Sequence, residues 1–311
     1  MRTLRDRGEA VLGIDIKPSP FTDRVGSITD RAVLRQALAG ASAVLHTATL
    51  HKPHVATHAH DDFVQTNIAG TLALLEESVA AGVSRFVFTS TTSAFGSALT
   101  PAPGAPAAWV TEAVADIPKN IYGATKSAAE ALCELFARHR GLPAVILRTS
   151  RFFVQADDDR ALRAAYGADN LQANELLYRR VDLQDVVDAC LAAAQRAPAL
   201  GFGRYIVSAS TPFEPADLAA LRRDAPAVVR AYFPGYEAIF QAAGWRMLPA
   251  IDRVYVNRAA VRDLGWTPRY DFGHALRALA GGTPFHSPLA LAIGDKGYHD
   301  RVFDDGPYPV A

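Results

Sequence analysis

Short, near-continuous apolar runs alternate with longer mixed stretches over the first half of the chain. Val11–Ile16, Ala43–His46, Arg85–Thr89 and Ala144–Arg148 are the runs. Their apolar residues are consecutive rather than every second position, which predicts strands covered on both faces. Between them, Asp30 predicts the N-cap of a helix reaching about Leu38, with Gly40 near its end. A second helix is predicted from about Asp61 to Ala81, with Ile68, Leu72, Leu75 and Val79 on one stripe and Gly82 as its stop. A third runs from about Tyr122 to Arg140 and ends at Gly141. Strands alternating with helices of this length imply an α/β fold, a doubly wound parallel sheet with right-handed crossovers.

The rhythm breaks after Arg148. Residues 154–177 read as irregular and are acid-rich at Asp157-Asp158-Asp159. A helix is predicted over Leu183–Arg196, a strand over Arg204–Ser208, and short helices near 215–223 and 257–264. The expected organisation is therefore a core over residues 1–153, to which 178–208 returns, and a smaller cap from 154–177 and 209–282. Residues 283–311, with Pro284, Pro288, Pro307 and Pro309, are expected to be an extended tail.

Composition narrows the function classes. At 311 residues, 50% hydrophobic and 21% charged, the chain has ample material for a core and is not a disordered segment. Lys+Arg and Asp+Glu balance at 32 each, which argues against an electrostatic grip on nucleic acid or an anionic membrane. Cys133 and Cys190 are too few for a disulfide framework and lack metal-site spacing. No run is long and apolar enough to span a bilayer, so a soluble, cytoplasmic protein is expected.

Tyr122 and Lys126 stand at i and i+4, one turn apart on the third helix. A tyrosine with an ordinary pKa near 10 is a poor base at neutral pH. A cation at about 4 Å, at an effective dielectric near 20, offers the phenolate roughly 4 kcal/mol. That could lower its pKa by up to ~3. Such a pair also occurs by chance on surface helices. Its context adds weight: the strand ending at Phe88 runs into Thr89-Ser90-Thr91-Thr92-Ser93-Ala94-Phe95-Gly96, hydroxyls at the carboxyl edge where open α/β sheets bind ligands. Those hydroxyls either bond a substrate oxygen or satisfy the backbone of the turn.

Several segments together resemble the extended short-chain dehydrogenase/reductases of the NAD-dependent epimerase/dehydratase type. They are Val11–Asp15, Val44–Ala48, Asn67 with Gly70-Thr71, Phe88–Gly96, Tyr122–Lys126, Leu147-Arg148 and Tyr178–Val187. Leu264–Pro268 with Tyr270–Phe272 resembles the family's C-terminal end, so the similarity spans about residues 1–282. The resemblance implies a Rossmann-like core with a small C-terminal substrate cap, NAD as cofactor, a small-molecule substrate and a homodimer. It makes Tyr122 the catalytic acid/base, Lys126 its modulator and ribose ligand, and Thr91 the substrate-orienting hydroxyl. Asp15 would take the adenosine ribose hydroxyls and favour NAD over NADP. Ser27 and Ile28 would flank adenine, and Ala48 and Asn67 would line the nicotinamide side. Thr92, Ser93, Arg151 and Arg180 would face substrate, and no metal is implied. Thr92-Ser93 stand where a dehydratase of this type usually has Asp-Glu, so oxidoreductase or epimerase chemistry on a secondary alcohol or ketone, plausibly of a sugar derivative, is expected.

The glycine fingerprint G-x-x-G-x-x-G is not in this sequence. It normally lies about 20 residues before the acidic ribose ligand, which from Asp15 falls before Met1. The first strand and phosphate loop are thus expected to be missing, either through a start at an internal methionine or through a real deletion. The deletion leaves an alternative: a catalytically silent binding or regulatory relative. Five histidines, His46, His51, His54, His58 and His60, crowd one stretch. They read as a polar loop overlooking the active-site mouth, where one could touch substrate or relay a proton. Arg151, Arg179 and Arg180 bind either an anionic substrate or Asp157, Asp182 and Asp185.

Overall fold

The computed structural model describes residues 1–295, 297–299 and 303. In chain order come α1 (Arg2–Asp6), β1 (Ile14–Asp15), β2 (Arg24–Val25), α2 (Arg31–Leu38) and β3 (Ala43–His46). Next are α3 (His60–Phe63), α4 (Gly70–Ala80), β4 (Arg85–Thr91), β5 (Ala108–Val110), α5 (Ile121–Arg140) and β6 (Ala144–Thr149). After these stand α6 (Arg160–Ala165), α7 (Ala168–Glu175), α8 (Leu183–Leu200), β7 (Phe202–Val207) and β8 (Arg253–Tyr255).

Three of the four apolar runs become strands of one sheet; β4 and β6 are largely buried, whereas in β3 only His46 is. With β7 they form a four-stranded sheet in the order β3-β4-β6-β7, and β3 pairs with β4 in parallel, Val44 opposite Phe86. Every residue of β6 is buried. Helix ends also follow local chemistry. The Asp30 carboxylate accepts the N–H groups of Ala32 and Val33 at the start of α2. Asn120 accepts the Gly123 N–H at the start of α5, and Gly141 closes that helix at φ 65°. This is a Rossmann-like α/β architecture.

The chain divides into two compact units. One holds residues 1–90, 120–147 and 190–204; the other holds 91–119, 148–189 and 205–311. The first unit's core packs Leu34, Leu75, Phe86, Phe88, Phe136 and Ile146. The second unit's core includes Phe213, Phe240, Val254, Phe272 and Phe285. Its β5 and β8 pair in parallel, Val110 opposite Tyr255. Also within it, Gly96 turns at φ 49°, where a Cβ would meet the Ile117 carbonyl oxygen at 1.9 Å; no larger residue fits.

Four expectations change. Val11–Ile16 is not a buried strand: only Ile14–Asp15 is extended, it pairs with β2 in a separate two-stranded sheet, and Leu12 and Ile16 are exposed. That small sheet lacks the second layer a doubly covered strand needs. Residues 154–177 are not irregular but carry α6 and α7, because Asp159 caps α6 through the Ala161 and Leu162 N–H groups. The described part of the tail is not wholly extended. Pro288–Ile293 is a helix whose cap, Ser287, accepts the Ala290 N–H, and Pro288 sits at the first turn, where its missing N–H costs nothing. Pro307 and Pro309 lie outside the described residues. Finally, the second helix contains a π-helical stretch, Val64–Ala69, between α3 and α4.

Candidate active site

Tyr122, Lys126 and Glu130 repeat at four-residue spacing, which stacks them on one face of α5. All three are buried. The Lys126 ammonium donates to the Thr89 carbonyl at 2.7 Å and stands 3.9 Å from the centre of the Phe88 ring, a cation–π contact. The Ser90 hydroxyl donates to Glu130 at 2.5 Å, and Arg204 pairs with the other Glu130 oxygen at 2.8 Å. Burial pulls Lys126 down to about 7, against the opposing pull of Glu130. A lysine so placed exchanges its proton near neutrality.

The π-helical stretch presents Asn67, whose amide is fully bonded. Its oxygen accepts the Thr49 hydroxyl and the Leu50 N–H, both at 2.8 Å. Its nitrogen donates to the Leu50 carbonyl at 3.1 Å and the Thr125 hydroxyl at 3.0 Å. Asn67 therefore ties the loop after β3 to α5 beside Tyr122. Short π-helical turns inside α-helices are frequent at functional sites.

At the end of β3, His46 is buried, and its Nε2 lies 2.9 Å from the Thr71 hydroxyl. Thr71 gives its one proton to the Asn67 carbonyl at 2.7 Å, so it accepts from His46, and the proton of the neutral imidazole sits on Nε2. Burial, helped by the charge of Lys126, lowers His46 to about 3. The unfolded chain, with histidine near 6.5, binds more protons between those values. Stability is therefore full above pH 6.5 and falls as the pH drops towards 3. From pH 7 to pH 5 this group alone should cost about 2 kcal/mol. Denaturant unfolding at the two pH values should show that loss, reduced in His46→Leu; an equal loss in both would refute the assignment.

The other expected positions are spread over the two units. In the first unit, Asp15 is exposed at the end of β1, where one carboxylate oxygen accepts the Lys17 N–H at 2.9 Å. Ser27 is half-buried and Ala48 exposed. Ile28 is buried beneath α4, where a Cβ on Gly70 would come within 2.8 Å of it, so its side chain belongs to the core. In the second unit, Thr91 caps the turn Thr92–Ala94 by accepting the Ser93 N–H at 3.1 Å; Thr92 is buried and Ser93 half-buried. Arg151 and Arg180 sit in an ion-pair cluster. Arg180 Nε donates to Glu175 at 2.7 Å, and Arg151 pairs with Asp157 and Asp158. Of the ion-pair partners expected for these arginines, Asp157 is used. Asp182 and Asp185 instead accept backbone N–H groups of Ser287, Arg269 and Tyr270.

Glu130, Arg204 and Glu175 escaped the sequence reading. Glu130 was within reach of it, since it continues the Tyr122–Lys126 spacing by one further turn. Glu175 also had a signal, standing four residues before Arg179, with which it pairs; Arg204 had none nearby.

A family profile described as the NAD dependent epimerase/dehydratase family matches residues 1–205. An uncharacterized protein, y4nG of Sinorhizobium fredii, is 30% identical over 226 residues, 67% of this chain and 52% of its own length. The chain thus spans about half of that relative. A UDP-glucose 4-epimerase of Rhizobium leguminosarum is 34% identical over 40% of this chain and 36% of its own length. Among solved structures, a short-chain dehydrogenase/reductase superfamily protein of Agrobacterium tumefaciens with bound NAD superposes at TM-score 0.60, with 24% identity and 90% and 91% of the two chains covered. The UDP-N-acetylglucosamine 4-epimerase of Bacillus cereus superposes at 0.60 with 17% identity, over 89% and 91%. Those structures share the fold, and the profile covers the stretch that carries β1 to β6, α5 and Tyr122–Lys126: the chain belongs to the NAD dependent epimerase/dehydratase family.

Proposed function

We propose that the protein is a nicotinamide-dependent oxidoreductase or epimerase acting on a secondary alcohol of a nucleotide sugar. The observation that carries this reading is the desolvated lysine one turn from a buried tyrosine, at the carboxyl edge of β4. Tyr122 takes the proton of the substrate hydroxyl, and Lys126, while charged, stabilises the resulting phenolate. Thr91, the last residue of β4, is assigned the hydrogen bond that orients the substrate oxygen. NAD, when bound, supplies the hydride acceptor.

The residues present suit the ribose ends of such a cofactor. Lys126 has three ammonium donors, of which Thr89 takes one. Asp15 offers an exposed carboxylate whose charge repels a 2′-phosphate. Ser27 and Ala48 are assigned to its edges, and Asn67 to holding the loop around its nicotinamide end. The curated relatives named as UDP-glucose 4-epimerases support a nucleotide-sugar substrate, and a homodimer is part of the same reading.

Titration of the chain with NADH and NADPH, followed by nucleotide fluorescence, tests it. NADH should bind saturably and more tightly than NADPH, and Asp15→Asn should narrow that preference. A panel of UDP-hexoses with NAD then reads turnover. Absence of binding to either nucleotide would turn the assignment towards the silent protein.

A further inference from the structure

Thr125 stands between Tyr122 and Lys126 near the start of α5 and is buried. Its hydroxyl proton is shared between the carbonyls of Ile121 at 2.8 Å and Tyr122 at 3.1 Å. A threonine that bonds back to the preceding turn of its own helix is ordinary and by itself signifies little. Here the same oxygen also accepts a hydrogen bond from outside the helix, from Asn67 Nδ2 at 3.0 Å. The Leu50 N–H, which can only donate, meets Asn67 Oδ1 and so fixes which way that amide points. The Nδ2 group is thereby left to the Leu50 carbonyl and Thr125. Asn67 is held from behind as well, since its backbone carbonyl accepts the Thr71 hydroxyl at 2.7 Å.

The loop that Asn67 grips is itself braced. After Leu50 it enters the turn Lys52–His54, where the His51 side chain accepts the His54 N–H and His54 Nδ1 accepts the His51 N–H at 2.9 Å. Asn67 and Thr125 thus join a braced loop to the helical turn that carries Tyr122, and the join is made on the carbonyl of Tyr122 itself. The phenol oxygen lies at the far end of its side chain, so a small rotation of that turn moves the oxygen further than the backbone. Proton transfer is sensitive to such placement: an error of about 1 Å can cost roughly 10²-fold in rate. We propose that Thr125 is a positioning residue, whose hydroxyl holds the Tyr122 turn of α5 in register with Asn67 and the loop after β3. The proposal rests on the reading of Tyr122 as acid/base. Thr125 touches neither substrate nor cofactor in it and acts only through the backbone of Tyr122.

Two variants separate the hydroxyl from the bulk of the side chain. Thr125→Val keeps the shape and removes both hydrogen bonds, whereas Thr125→Ser keeps the hydroxyl and loses a methyl group. The first test needs no cofactor. In the free chain with isotope-labelled tyrosine rings, the Tyr122 signal, identified by its loss in Tyr122→Phe, should move in Thr125→Val and keep its place in Thr125→Ser. A signal unmoved in Thr125→Val, or moved equally in both variants, overturns the proposal. The second test uses whichever UDP-hexose turns over. Thr125→Val should lose roughly 10- to 100-fold in kcat with KM nearly unchanged, and Thr125→Ser should recover most of that loss. Wild-type kcat in Thr125→Val, or a loss that serine does not recover, would make Thr125 a packing residue and overturn the proposal. The acid/base reading fails by a different result, full turnover in Tyr122→Phe, so the two failures are distinguishable.

Discussion

Replacing Tyr122 by Phe should lower turnover by roughly 10²–10⁴-fold while leaving fold and NADH affinity nearly unchanged. The ring keeps its buried place on α5, and only the proton-transferring oxygen is lost. That range corresponds to roughly 3–5 kcal/mol of transition-state stabilisation, more than the loss of one ordinary hydrogen bond would explain. A companion variant separates proton transfer from packing. Glu130 holds the Lys126 proton on against burial, so in Glu130→Gln the lysine gives up its charge at lower pH. The phenolate loses its neighbouring cation there, and the alkaline limb of the rate profile should move towards acid. Turnover of each UDP-hexose against pH, with NADH affinity measured in parallel, reads both effects. A Tyr122→Phe protein that turns over at the wild-type rate would remove the chemical basis of the proposed function.

What the sequence discloses of this site is what local chemistry encodes. α2 and α5 are legible because Asp30 and Gly141 mark their ends within a few residues. β4 and β6 are legible because unbroken apolar runs have no soluble alternative to a covered sheet. The pair Tyr122 and Lys126 is legible by spacing, but the burial that gives Lys126 its lowered pKa is supplied by Thr89 and Phe88, some 37 residues away along the chain. Pairing of β5 with β8 joins three-residue strands across the second unit, too short for any period to register. Val11–Ile16 misleads for the opposite reason: its composition suits an inner strand, yet only β2 stands beside Ile14 and Asp15. Arg151 and Arg180 are readable as cations and Asp157 as a partner, but the division of carboxylates is set by the fold: Asp157 and Asp158 take Arg151, and Glu175 at the end of α7 takes Arg180.

That cluster carries the largest expected effect on stability. Glu175, the last residue of α7, is wholly buried. Its carboxylate accepts Arg180 Nε at 2.7 Å and Arg179 at 2.6 Å, with Arg151 at 3.5 Å. Asp157 lies 3.1 Å from Arg179 and, with Asp158, pairs with Arg151. Burial alone would push Glu175 up; Arg179, Arg180 and Arg151 outweigh it and hold the carboxyl at about 2. Because the folded value lies below the unfolded one, the stabilisation is complete above about pH 4.5 and is lost as the pH falls towards 2. At neutral pH, Glu175→Gln leaves three arginines around one fewer anion, and removing one partner from a buried pair costs about 3–5 kcal/mol. Denaturant unfolding should show that loss. Adding Arg180→Met to Glu175→Gln should recover part of it, since the double variant no longer buries the guanidinium whose Nε Glu175 held. Equal stability of Glu175→Gln and the wild type would mean that water reaches these guanidinium groups and that Glu175 is not their anchor.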